Sequence, residues 1–151
     1  MSPAAGVRPI LLVEDNPMDV DLTLEAFKEH GVVNPIHVCR DGEEAVQYMN
    51  THGASMNALL PALVLLDLRL PKVDGIDVLR HARNSDVWKQ VPIVILTTSR
   101  QSDDIEAAYS LGANSYIVKP VDFAAFAAVV KSIKVYWLLT NESPFPEGHG
   151  R

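Results

Sequence analysis

Leu63-Val64-Leu65-Leu66 is an unbroken apolar run that ends on a carboxylate, Asp67. A short continuous apolar segment with β-branched content predicts a strand buried on both faces, as a parallel sheet requires. The pattern recurs. Ile10-Leu11-Leu12-Val13 stops at Glu14-Asp15, and Pro92-Ile93-Val94-Ile95-Leu96 runs into Thr97-Thr98-Ser99. Ser115-Tyr116-Ile117-Val118 stops at Lys119-Pro120, and Ile36-His37-Val38-Cys39 reads as a further strand. In open α/β sheets the carboxyl ends of the strands are where ligands bind. Asp67 has no better local purpose, because the start signal of the next helix falls at Asp74, before Ile76-Asp77-Val78-Leu79.

Helical segments separate the strands. Asn16 caps a helix with Pro17 in its first turn, an apolar face of Val20, Leu22, Leu24 and Phe27, and Gly31 at its end. Further helices are expected from Asp41-Gly42 through Met49, from Asp74 to about Asn84, from Ser102 to Gly112 and from Asp122 to about Leu139. Alternating strands and helices predict an α/β fold, a five-stranded parallel sheet, doubly wound, with helices on both faces. One domain over residues 9–139 accounts for the pattern, after a disordered lead (1–8) and before an irregular tail (140–151) with no output domain. Gly53 to Pro61 is longer than a compact connection needs and carries no assigned chemistry.

Composition narrows the function. A net charge of -6 argues against DNA or RNA binding. No run reaches the length of a membrane span and no signal peptide opens the chain, so a cytoplasmic location is expected. The single cysteine, Cys39, reads as a small buried hydrophobe, and the five histidines show no metal-ligand spacing.

A parallel sheet gathers Glu14, Asp15, Asp67, Thr97 and Lys119 at one edge. Carboxylates crowded together repel unless a cation compensates them. All-oxygen ligation suits Mg2+, with Mn2+ as a substitute. Glu14, Asp15 and Asp67 would hold the metal, completed by the backbone carbonyl of Arg69. Lys119 and the Thr97 hydroxyl would bind an anion. Together these groups predict phosphoryl transfer to Asp67 as nucleophile.

Those residues resemble the receiver domain of two-component response regulators, the CheY-like variant of the flavodoxin-like fold. The resemblance runs from about Pro9 to Leu139 and rests on Leu11 to Asn16, Leu65-Leu66-Asp67, Leu70-Pro71, Asp74-Gly75, Thr97, Gly112-Ala113 and Tyr116 to Pro120. It implies that Asp67 takes its phosphoryl group from a histidine kinase, that Thr97 and Tyr116 act as a switch, and that the Lys119–Pro120 bond is cis. The protein is then no enzyme in the ordinary sense, catalysing only its own phosphorylation and dephosphorylation. Thr98 stands where the family usually has a smaller residue, and Arg69 and Ser99 stand where it tunes hydrolysis. The long loop and Val135-Tyr136-Trp137-Leu138-Leu139 are similar to the small stand-alone regulators paired with bacterial phytochromes, which implies a phytochrome-type photoreceptor kinase as partner.

Three rivals share parts of this pattern. A flavodoxin-like nucleotide or flavin binder would need a first loop that welcomes phosphate, where Glu14-Asp15 repels it. A haloacid-dehalogenase-type phosphatase needs a second acid where Arg69 stands. A phosphorylation-independent pseudo-receiver would have no need of the complete acidic set with Thr97 and Lys119. In the last helix Phe126, Val130, Ile133 and Trp137 form one apolar stripe, and Tyr136 widens it. More apolar surface than one face needs predicts a homodimer through this helix, with Phe126, Val130, Ile133, Tyr136 and Trp137 at or near the contact.

Overall fold

The computed structural model describes residues 7–52 and 60–140. Residues 1–6 of the expected lead (1–8), most of the Gly53–Pro61 loop and the tail beyond Thr140 lie outside the described residues. Arg8, the last residue of that lead, is not disordered: its guanidinium donates to the Leu60 carbonyl at 3.1 Å and its carbonyl accepts from the Asn34 amide at 2.8 Å. Five strands, β1 (Ile10–Val13), β2 (Ile36–Cys39), β3 (Leu63–Leu66), β4 (Ile93–Thr97) and β5 (Ser115–Val118), form one parallel sheet in the order β2-β1-β3-β4-β5. They alternate with α1 (Pro17–Glu29), α2 (Gly42–His52), α3 (Gly75–Arg83), α4 (Ser102–Ser110) and α5 (Phe123–Ile133). The expected fold class is the one found.

The strands' two-residue period divides the core in two. Leu11, Val13, Val64, Leu66, Ile93 and Ile95 pack with α2, α3 and α4. Ile10, Leu12, Leu63, Leu65, Val94 and Leu96 pack with α1 and α5 on the other face. Each strand is too short to be stable unless both faces are covered, which is why β1, β3 and β4 are apolar at nearly every position.

Register carries the site. Val13 pairs with Leu66, so Glu14 and Asp67 leave the sheet side by side. The ladder continues one step beyond the strands: the Asp67 N–H donates to the Val13 carbonyl at 3.0 Å, and the Lys119 N–H to the Thr97 carbonyl at 2.7 Å. These bonds fix the backbone of the polar residues at the sheet edge.

Two expectations shift. The buried face of α1 is Val20, Thr23, Ala26 and Phe27, with Leu22 and Leu24 half-buried beside it. Thr23 is admitted because its hydroxyl donates to the Asp19 carbonyl at 2.7 Å. The last helix is not one α-helix to Leu139. It is α-helical to Ile133 and then widens into π-helical turns over Lys134–Thr140. At the junction the Lys134 ammonium donates to the His30 carbonyl at the end of α1.

Candidate functional site: an acidic cleft at the strand ends

Three elements converge on the cleft. The end of β1 supplies Glu14 and Asp15, the end of β3 supplies Asp67, and the end of β5 supplies Lys119. Asn16 caps α1 by accepting from the N–H groups of Met18 at 2.9 Å and Asp19 at 3.2 Å. That cap turns the first helical turn over the cleft, which has a volume of about 410 Å³ and is lined by Glu14, Asp15, Asn16, Pro17, Asp19, Asp67, Arg69, Thr98 and Lys119.

Lys119 is the electrostatic centre. Its ammonium donates to Glu14 Oε1 at 2.6 Å, Asp19 Oδ2 at 2.9 Å and Asp67 Oδ2 at 3.1 Å. Its side chain is only 5% exposed. Burial alone would lower the ammonium's pKa. The hydrogen bonds to Glu14 and Asp19 and the charges of Asp67 and Glu14 outweigh it, and the pKa is raised. Lys119 therefore stays charged. Burial, with the neighbouring Asp67 charge, pushes the Glu14 carboxyl up to about 7, against the opposing pull of Lys119.

The carboxylates fit a divalent cation. Glu14, Asp15 and Asp67 can each present a ligand oxygen within 4.8 Å of the others. The donor set is all oxygen and outnumbers the compensating charge of Lys119, as a hard cation requires. The two oxygens of Asp67 have separate duties: Oδ1 accepts from the Arg69 N–H at 3.2 Å, and Oδ2 from Lys119.

Thr97 and Tyr116 occupy a second layer. Thr97 is fully buried, and its hydroxyl oxygen accepts from the Ser99 N–H at 3.4 Å. Thr98 rather than Thr97 lines the cleft. Tyr116 is half-buried and donates from its hydroxyl to the Ser99 carbonyl at 3.0 Å.

Two expectations are corrected. The Lys119–Pro120 bond is trans. Trans is the lower-energy form of an X–Pro bond by about 0.5–1 kcal/mol. Phe126, Val130 and Ile133 do not form an outer contact, because all three are buried against the sheet. Trp137 packs half-buried on the same cluster, while Tyr136 is 52% exposed, its ring edge-on to Trp137 at 5.0 Å.

Asp19 is the cleft residue that sequence reasoning missed. An acid in the first turn of a helix ordinarily complements the helix dipole, and only the fold shows that it faces Lys119.

Residues 10–131 match the response regulator receiver domain family. The chain belongs to that family. It is 45% identical to the probable methanogenesis regulatory protein FilR2 of Methanothrix harundinacea over 91% of this chain and 88% of that one. It is 37% identical to response regulator Rcp1 of Synechocystis sp., over 89% of this chain and 92% of Rcp1. The crystal structure of the Mn(2+)-bound form of Rcp1 superposes with a TM-score of 0.83 at 36% identity, covering 91% of this chain and 99% of that one. The phosphorylated cyanobacterial phytochrome response regulator RcpA superposes with a TM-score of 0.84 at 40% identity, covering 91% and 99%. The protein is a response regulator of the two-component type, homologous to phytochrome response regulators. Among the described residues no helix is long and apolar enough to cross a membrane.

Proposed function

We propose that residues 9–139 act as a phosphorylatable receiver in which Asp67 accepts a phosphoryl group from a histidine kinase. The observation that carries this is the placement of Asp67 at the end of β3, with Oδ2 3.1 Å from Lys119 and within 4.8 Å of ligand oxygens from Glu14 and Asp15. An Asp67 oxygen attacks phosphorus, the bond from phosphorus to the donor's imidazole nitrogen breaks, and the nitrogen keeps the electron pair and takes a proton from water. Glu14, Asp15 and Asp67, with the Arg69 backbone carbonyl, would hold Mg2+, or Mn2+ in its place. When bound, the ion supplies positive charge to the transferring oxygens. Lys119 exchanges its bond to Asp67 Oδ2 for a phosphoryl oxygen. The Thr97 hydroxyl donates to another, and the vacated space lets Tyr116 repack.

The likeness to RcpA and Rcp1 supports a phytochrome-type photoreceptor kinase as the donor, in the cytoplasm, without DNA contact. The exposed Tyr136, beside Trp137, supports a homodimer through the last helix. Sedimentation of wild type and Tyr136→Ala at micromolar concentration tests the pairing. A wild-type monomer, with and without phosphodonor, would refute it.

The phosphorylation test is incubation with acetyl phosphate and Mg2+ followed by intact-mass measurement. The wild type is expected to gain one base-labile phosphoryl group and Asp67→Asn none. Labelling that survives in Asp67→Asn would remove Asp67 from this role.

A further inference from the structure

Arg69 is held at both ends. Its backbone N–H donates to Asp67 Oδ1 at 3.2 Å, and its guanidinium pairs with Asp104 in the first turn of α4. The same Asp104 oxygen accepts from the Ser99 hydroxyl at 2.5 Å. The Ser99 carbonyl in turn accepts from the Tyr116 hydroxyl at 3.0 Å. A continuous path therefore runs from the cleft, through Arg69 and Asp104, to the β4–α4 connection and Tyr116.

Arg69 and Lys119 are the two cations lining the cleft. Lys119 is committed to three buried or half-buried carboxylates. Arg69 is 54% exposed and its guanidinium engages one carboxylate, itself 19% exposed. A phosphoryl group on Asp67 adds negative charge and acceptor oxygens, and a guanidinium fork matches such an oxyanion better than a point charge does. Arg69 lies two residues from Asp67, its N–H is already bonded there, and it lines the same cleft.

We propose that the Arg69–Asp104 pair is a latch: phosphorylation of Asp67 draws the Arg69 guanidinium from Asp104 to the phosphoryl oxygens, and the freed Asp104 releases the Ser99 connection on which Tyr116 is hung. The latch rests on Asp67 as the phosphoacceptor. Arg69 thereby becomes a positioning group for the phosphoryl oxygens and the first mover in their coupling to α4. An exposed ion pair of this kind shifts an equilibrium by up to about fivefold, enough to bias the resting state and little enough for a phosphoryl group to overcome.

Asp104→Asn tests it, because asparagine loses the charge that holds Arg69 and offers the Ser99 hydroxyl only a neutral, weaker acceptor. With acetyl phosphate and Mg2+, Asp104→Asn is expected to reach half-maximal labelling at about fivefold lower donor concentration, since Arg69 is free to meet the anionic donor. Before any donor is added, its Ser99 and Tyr116 NMR signals are expected part of the way to the positions that wild type reaches when labelled. An unchanged donor requirement, or Ser99 and Tyr116 signals unmoved in the unlabelled variant, overturns the latch. As a second arm, Arg69→Ala frees Asp104 before any labelling, so the displacement that labelling adds at Ser99 is expected to fall short of wild type, and a full added displacement also overturns it. A wild type that gains no phosphoryl mass removes the reading of Asp67 itself. A wild type that gains it, while Asp104→Asn behaves identically, removes the latch alone.

Discussion

Asp19 and Lys119 meet across the mouth of the cleft, the carboxylate of one accepting from the ammonium of the other at 2.9 Å. Lys119 thus answers to an acid of α1 as well as to the strand ends. Asp19 stands outside the group whose ligand oxygens converge within 4.8 Å. Asp15 and Asp19 are therefore expected to behave differently. Asp15→Asn should weaken Mn2+ binding by more than about tenfold, a loss of more than about 1.4 kcal/mol, and Asp19→Asn by less. Calorimetric titration of the two variants checks this, and equal losses would merge Asp19 into the metal site.

Metal binding should also depend on pH through Glu14. Its carboxyl is raised from an ordinary 4.5 to about 7, chiefly by burial. A raised carboxyl means that the folded state binds a proton the unfolded chain lacks between those values. The cost of burying ionised Glu14 is then fully present above about pH 7 and relieved as pH falls toward 4.5. Metal competes with that proton, so Mn2+ affinity should fall as pH drops through about 7. Glu14→Gln should bind Mn2+ less tightly and should lose this part of both the metal and the stability profile.

The apolar runs made the sheet legible, since an unbroken apolar run of four or five residues has few uses other than a strand covered on both faces. The polar residue after each run made the cleft legible, because parallel strands bring those ends together whatever the loops do. Asp19 was not legible, because its partner is 100 residues away and its local role as a first-turn acid is sufficient in itself. Trp88 is a similar case. It sits in a connection and yet is 1% exposed, edge-on to Tyr48 at 6.0 Å, in the core beneath α2 and α3. The stripe of the last helix was legible as apolar, but its spacing could not say that Phe126, Val130 and Ile133 are spent on the sheet while Tyr136 faces outward.

Gly75 owes its place to Asp67. A Cβ on Gly75 would stand 2.3 Å from the Asp67 carbonyl oxygen and 2.5 Å from the Leu68 Cα. Both contacts are backbone and cannot swing away. Gly75→Ala should therefore displace the Asp67 loop, costing about 1–3 kcal/mol of stability and slowing labelling by acetyl phosphate. Gly31→Ala offers the contrast, with open space around the new methyl but a φ of +71° to strain it. It should cost about 1–2 kcal/mol and leave labelling unchanged. Urea melts paired with labelling rates separate the two.

Arg83 is a charged side chain with no charged partner among the described residues. From the end of α3, its Nε donates to the Gly112 carbonyl at 2.9 Å. Nη1 donates to the carbonyls of Lys89 at 3.1 Å and Val91 at 2.9 Å, and Nη2 to Asn114 Oδ1 at 2.9 Å. Asn114 Oδ1 also accepts from the Ile93 N–H at 2.8 Å, at the first residue of β4. One guanidinium thus ties α3 to the segment before β4 and to the turn after α4. Burial lowers its pKa, yet a guanidinium begins so high that it stays charged. The dispersed hydrogen bonds stand in for a counter-ion, each charge-assisted on one side. Arg83→Ala should cost about 2–4 kcal/mol, because it leaves acceptors in two segments without their donor at once. Arg83→Lys should recover less than half of that, since one ammonium cannot reach acceptors laid out for a planar fork. Neither change touches the cleft, so Asp67 should still be labelled by acetyl phosphate wherever the protein remains folded. Urea denaturation of the three proteins measures the cost. Full recovery by lysine would show that Arg83 acts through its charge alone and not through the geometry of its fork.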